Sequence, residues 1–159
     1  MFDWDHGRVY IQMTKDTIRN GEISEQICQH KCFVEHGYMV SKPVATADYD
    51  LIVEVDNRPL RVQVKSTQKS TEVLICKGTN GQGNKGKGKY PYPENSIDFF
   101  VIHDKLLEEW FIVPRSATGD AKKIRFSSNP NTKYAKYLDN WEFKTWKRFI
   151  LVKSNIRWT

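Results

Sequence analysis

The sequence predicts one α/β domain in which a mixed β-sheet is flanked by helices. Three observations lead there: a helical apolar period over residues 17–36, an alternating hairpin over 50–65, and near-continuous apolar strands at 97–102 and 110–113. With 159 residues and 18.6 kDa the chain holds one ordinary core. A content of 39% hydrophobic and 13% aromatic residues excludes global disorder. Residues 1–159 are therefore expected to form a single domain, carrying a flexible basic Gly/Lys loop at 78–93 and a basic C-terminal segment.

In order along the chain, Thr17 to His36 reads as a helix. Ile23, Ile27 and Val34, with the small Cys28 and Cys32, fall near a 3.6-residue period, and Gly37 sits where a C-cap glycine belongs. Tyr38-Met39-Val40 is a short strand, ended before Pro43. From Asp50 to Lys65 two alternating runs flank Asp56-Asn57-Arg58-Pro59, which has turn chemistry. A turn centred between Asn57 and Arg58 pairs Val55 with Leu60, Val53 with Val62 and Leu51 with Val64 on one face. The other face then pairs Glu54 with Arg61, Ile52 with Gln63 and Asp50 with Lys65. Glu72 to Cys76 is a third strand. Residues 78–93 hold five of the nine glycines and read as a mobile loop. Strands at Ile97–Ile102 and Trp110–Val113 form a hairpin. Lys133 to Trp146 reads as helical, with Tyr134, Tyr137, Leu138 and Trp141 on one side, and Phe149 to Val152 as a short closing element.

The net charge of +6 is unevenly spread. Residues 1–60 carry −4, residues 61–104 carry +3 and residues 105–159 carry +7. An acidic first third on a basic remainder points to a polyanionic partner and to carboxylates with a task of their own. No apolar run approaches the ~20 residues of a membrane helix, so no membrane partner is expected. The N-terminus lacks the basic and apolar regions of a signal peptide. Three cysteines, Cys28, Cys32 and Cys76, cannot all pair with one another, as befits a reducing compartment. The expectation is a cytoplasmic protein.

Four constellations bear on chemistry. Gln63 and Lys65 lie two apart on a strand and share a face, and the hairpin brings Asp50 to the same end of it. A carboxylate, an amide oxygen and an ammonium converging there could hold a hard cation such as Mg²⁺ and activate a water. On spacing alone, the polar face of an ordinary half-exposed hairpin is the better reading. Glu25, on the preceding helix, can be aimed at Asp50, with Glu22 as a competitor. The run Gly81-Gln82-Gly83-Asn84-Lys85-Gly86-Lys87 matches GxxxxGK, but Gly88 follows where Ser or Thr is needed, and Pro91 and Pro93 exclude the helix. It is not a nucleotide loop. Lys77, Lys85, Lys87 and Lys89 read, on their own, as a solvated loop, and with a polyanionic partner as a flexible cationic finger suited to a phosphate backbone. Cys28, Cys32 and His36 share a helical stripe, yet no fourth ligand follows, so the cysteines read as small core residues. His6, His30 and His103 have no legible partners. The last third interleaves Lys122, Lys123, Arg125, Lys133, Lys136, Lys144, Lys147, Arg148, Lys153 and Arg157 with aromatics. The cations read as phosphate-facing and most aromatics as core.

Taken in order, Glu25 on a helix, Gly37-Tyr38, Tyr49-Asp50-Leu51-Ile52-Val53 and Gln63-Val64-Lys65-Ser66 resemble the PD-(D/E)xK nucleases of the restriction-endonuclease fold. The likeness is greatest to the bacterial group I intron-encoded homing endonucleases, where Gln replaces the second acid. Ile97-Asp98-Phe99-Phe100-Val101, Phe111-Ile112-Val113-Pro114 and Lys133-Tyr134-Ala135-Lys136-Tyr137 with Trp141 extend the likeness over roughly residues 17–145. The resemblance implies a restriction-endonuclease-like core and a Mg²⁺-dependent, sequence-specific double-strand DNA endonuclease, with Mn²⁺ as a possible substitute ion. It implies Asp50 and Glu25 as metal ligands, Gln63 beside them and Lys65 as the catalytic lysine. The neutral Gln63 departs from the general motif and lowers the site's charge, which bears on whether a second metal can bind. To cut both strands, so small a protein needs a homodimer or homotetramer. A Holliday-junction resolvase of the same fold and a non-catalytic DNA-binding module remain as alternatives.

Overall fold

The structure, a computed structural model of the chain, describes residues 5–68, 71–77 and 90–145, with side chains described from Ile18 onward in the first helix. Helix α1 (Asp5–His30) begins well before the expected Thr17, continues as a π-turn over Lys31–Glu35, and ends at Gly37 with φ +71°. Its buried face differs from the one the apolar period predicts. Ser24, Cys28 and Cys32 are buried, whereas Ile23, Ile27 and Val34 are partly or largely exposed. Small side chains at i, i+4 and i+8 let the helix lie close against the sheet, and closeness wins over bulk here.

Five strands form the main sheet in the order β1-β2-β3-β7-β8: β1 (Met39–Ser41), β2 (Leu51–Val55), β3 (Arg58–Thr67), β7 (Phe99–Asp104) and β8 (Glu109–Pro114). β3 and β7 run parallel and the other neighbours antiparallel, so the sheet is mixed as expected. Two small ribbons join β4 (Glu72–Leu74) to β9 (Lys123–Arg125), and β5 (Cys76–Lys77) to β6 (Tyr90–Pro91). The stretch 78–93 is thus not wholly loop, because Tyr90–Pro91 pairs with β5 and Tyr92 is buried.

The hairpin register is offset by two residues from the expected one. Leu51 pairs with Val62, Val53 with Leu60 and Val55 with Arg58. The turn is the two-residue Asp56-Asn57, both left-handed at φ +50° and +58°, the geometry that matches strand twist in tight hairpins. An offset of two keeps every side chain on its predicted face. It breaks the expected Glu54–Arg61 pair: Arg61 is instead clamped to Asp98, through its backbone N–H at 2.7 Å and its guanidinium at 3.0 and 3.1 Å.

The sheet separates two cores. Val62, Val64, Phe99, Val101, Trp110 and Ile112 pack beneath α1 with Cys28 and Cys32. Phe100, Ile102, Phe111 and Val113 pack on the other side with Ile124, Phe126, Tyr134 and Tyr137. The expected helix over 133–146 is absent from its described part, residues 133–145, where only a 3-10 turn forms at Ala135–Tyr137. Tyr134 and Tyr137 serve one core, Trp141 and Phe143 the other, so the segment must bend around the sheet at β8. Left-handed Asp139 and Phe143 make that bend. The closing element at 149–152, Trp146, Lys147, Arg148, Lys153 and Arg157 lie outside the described residues. Among the described residues no helix is long and apolar enough to cross a membrane.

Candidate active site

Val62 and Val64 point into the core beneath α1, so Gln63 and Lys65 fall on the opposite face of β3. Asp50 immediately precedes β2, and its backbone N–H donates to the Val62 carbonyl at 2.9 Å. The two-residue turn places Asp50 level with Gln63 rather than with Lys65. Its Oδ2 accepts the Val64 N–H at 2.7 Å and contacts the Gln63 amide. Oδ1 has no protein partner among the described residues.

Burial pushes the Asp50 carboxyl up from its ordinary 3.8 to about 6. The nearby Glu25 carboxylate adds to the rise, while the Val64 N–H, Lys65 and Lys42 oppose it. Glu25 is on α1 and forms an ion pair with Lys42 at 3.2 Å. Lys65 is half-buried, and its ammonium donates to the Tyr92 hydroxyl at 3.2 Å while lying 5.6 Å from that ring's centroid. Gln63, Lys65 and Tyr92 line a cleft of about 460 Å³ with Thr46, Ala47, Asp48, Cys76 and Lys77.

The structure therefore joins Asp50, at the start of β2, directly to Gln63 in the middle of β3, sets Lys65 on the same strand face, and leaves Glu25 of α1 near enough to Asp50 for its charge to be felt. The donor set fits a hard divalent cation. Two carboxylates, the half-buried Asp50 raised first by burial and then by Glu25, accompany the Gln63 amide, whose nitrogen donates to Asp50 and whose carbonyl oxygen would face an ion once the amide is turned over. The Val64 carbonyl, 3.3 Å from the Gln63 amide nitrogen, adds a further oxygen. Among the described residues no group of three or more His, Cys, Asp or Glu is placed to hold a metal ion.

Residues 15–144 match the family described as PD-(D/E)XK endonuclease. The chain belongs to that family. Its fold is also shared with a solved structure, that of the bacterial homing endonuclease I-Ssp6803I, at a TM-score of 0.67 and 25% identity, covering 79% of this chain and 90% of that chain. No curated protein sequence matches the chain. The sheet around Asp50 and Gln63-Val64-Lys65 is thus a restriction-endonuclease-like core, as the sequence predicts.

For this PD-(D/E)XK protein the cations expected to face DNA are divided. Lys77 is ion-paired with Asp48. Lys123 and Arg125 both hold Glu72, at 3.0 and 2.9 Å. Lys122 and Lys133 are exposed, and Lys133 covers the Tyr134 ring at 4.8 Å. Lys85, Lys87 and Lys89 lie outside the described residues. His36 is exposed and stacked on Trp141, away from a metal role, while Cys28 and Cys32 are core thiols. Sequence reasoning missed Tyr92 and Lys42, which depend on contacts between distant segments. It also missed the partners of His103, a buried side chain stacked on Trp110 at 3.9 Å between centroids.

Proposed function

We propose that this chain is a Mg²⁺-dependent endonuclease that cuts both strands of duplex DNA at a specific sequence, in the manner of a homing endonuclease. The observation that supports the proposal is the direct contact of Asp50 with Gln63, with Lys65 next along the same strand face and the Glu25 carboxylate near enough to raise the Asp50 pKa. Asp50, Glu25 and Gln63 would hold the ion, with Mn²⁺ as a substitute. When bound, the ion supplies Lewis-acid activation of water and charge neutralisation at phosphorus.

The protein's own groups do the rest. Asp50 is fixed by the Val64 N–H, so one carboxylate oxygen is oriented by backbone and the other is left for the ion. Lys65 sits on the same strand face, and its ammonium meets a non-bridging phosphate oxygen or orients the attacking water. The Tyr92 hydroxyl limits the lysine's swing. Gln63 contributes no charge, so the set favours one ion over two. Two copies of the chain, related by symmetry, would be needed for the two strands.

The test is cleavage of a randomised duplex library with Mg²⁺, followed by sequencing of the ends. Cuts at one recurring sequence are expected, abolished by Asp50→Ala and by Lys65→Ala. Cutting of four-way junctions with linear duplex untouched would replace the proposal with a resolvase. DNA binding with no cleavage by the unaltered protein would leave a binding module.

A further inference from the structure

Helix α1 supplies Glu25, so the site depends on how the helix is rotated and how far along its axis it sits. Cys28 and Cys32 pack it against the sheet, but apolar packing of small groups has no direction. Directional contacts come from the tip of the β7–β8 hairpin. Ser24 Oγ lies 3.1 Å from His103 Nδ1, and His103 Nε2 lies 3.3 Å from Glu108 Oε2. The Lys105 ammonium donates to the Asn20 carbonyl at 2.9 Å and to its side-chain oxygen at 3.3 Å.

A carboxylate only accepts, so Nε2 carries the His103 proton. Burial lowers the His103 pKa, against the pull of the Glu108 carboxylate, and so favours the neutral ring. Nδ1 is then an acceptor, and the Ser24 hydroxyl, which also lies 3.3 Å from the Asn20 carbonyl of its own helix, shares its one proton between that carbonyl and the ring. The polarity runs from Ser24 to His103 to Glu108. Stacking on Trp110, at 9° between planes, fixes the ring. This Ser-His-Glu series is not a nucleophile set, since Ser24 is 0% and His103 2% exposed.

We infer that His103, acting through Ser24, is a positioning residue for the divalent-ion site: it locks the turn of α1 that presents Glu25 beside Asp50. Ser24 directly precedes Glu25, so an anchored Ser24 backbone fixes where the Glu25 side chain leaves the helix. This rests on the proposed metal site. The experiment therefore reads metal binding directly as well as cleavage.

Calorimetric titration of the intact protein with Mn²⁺ is compared for the unaltered chain, Ser24→Ala, Glu25→Ala and the double variant. Thermal melts confirm that each is folded. Ser24→Ala should weaken Mn²⁺ binding on the order of tenfold, as loss of a group that orients a ligand does. In the Glu25→Ala background the same substitution should change nothing more, because its effect passes through Glu25. His103→Asn, whose amide can occupy the Nδ1 position, should restore much of the affinity that His103→Leu loses. Equal Mn²⁺ affinity in Ser24→Ala and the unaltered chain overturns the inference and leaves the metal site standing. So does a Ser24→Ala effect that persists in full without Glu25. Failure of the unaltered chain to bind Mn²⁺ overturns both the metal site and the inference.

Discussion

Asp50 holds a charge in a place that does not favour it. Its folded pKa of about 6 exceeds the ordinary 3.8, so the folded state keeps its proton where the unfolded chain has lost it. Metal-free stability must therefore fall as pH rises from about 4 through 6, by ~3 kcal/mol from this group. Asp50→Asn removes that cost. In EDTA at pH 8 the variant should melt on the order of 5–10 °C higher, with the difference vanishing near pH 4. Added Mg²⁺ should stabilise the unaltered protein and not the variant. Calorimetric melts across pH, with and without the ion, check both statements. Lys65 yields a second residue-scale prediction. Tyr92→Phe keeps the ring and removes the hydroxyl that restrains the ammonium. Cleavage should slow by about tenfold, against a loss on the order of 10³-fold for Lys65→Ala, measured as single-turnover rates at saturating DNA.

At the level of elements, what was legible depended on whether a pattern was local. The alternation of residues 50–65 gave both strands and both faces, because side-chain direction in a strand has a period of two. The register is displaced because Arg58 and Pro59 belong to β3 and the turn is Asp56-Asn57 alone. The signal that would have found it is Asp56-Asn57, two residues that tolerate left-handed backbone. Helix α1 was legible as a helix but not in its orientation, since Ile23 and Ile27 each sit one position before the buried Ser24 and Cys28. The aromatic run after Lys133 has a helical period, yet its members serve cores on opposite sides of the sheet, which no single helix can do. Of the candidate site, Asp50, Gln63 and Lys65 are legible because the hairpin is local, and Glu25 because its helix precedes the hairpin, with the family likeness choosing it over Glu22. Tyr92, Lys42 and Ser24–His103 meet only once the chain has folded. The hairpin turn can be tested directly. Asn57→Val forces a β-branched residue into φ +58° and should cost about 1–2 kcal/mol in urea melts, whereas Asn57→Gly should be neutral or slightly stabilising.

For the whole molecule, the split of charge along the chain becomes a division between engaged and available cations. Lys123 and Arg125 already hold Glu72, which their contacts keep well ionised. Lys122 and Lys133 make no ion pair among the described residues. If DNA crosses the basic side, Lys122→Ala and Lys133→Ala should each weaken binding uniformly across sequences and reduce the slope of log Kd against log salt by about 1. Lys123→Ala should do less, because phosphate contact there must compete with Glu72. Glu72→Gln should tighten binding. Fluorescence anisotropy titrations at several salt concentrations in EDTA separate the four variants.

The paired thiols beneath α1 have a practical consequence. Cys28 and Cys32 are wholly buried, and a hydrogen bond between them together with burial raises the Cys28 thiol well above its usual range. A maleimide dye can reach neither without lifting the helix away from the sheet. Labelling of these two positions is therefore a clock for helix detachment, and its slowing upon addition of a divalent ion would report, without any DNA, how firmly ligand binding clamps the two layers together.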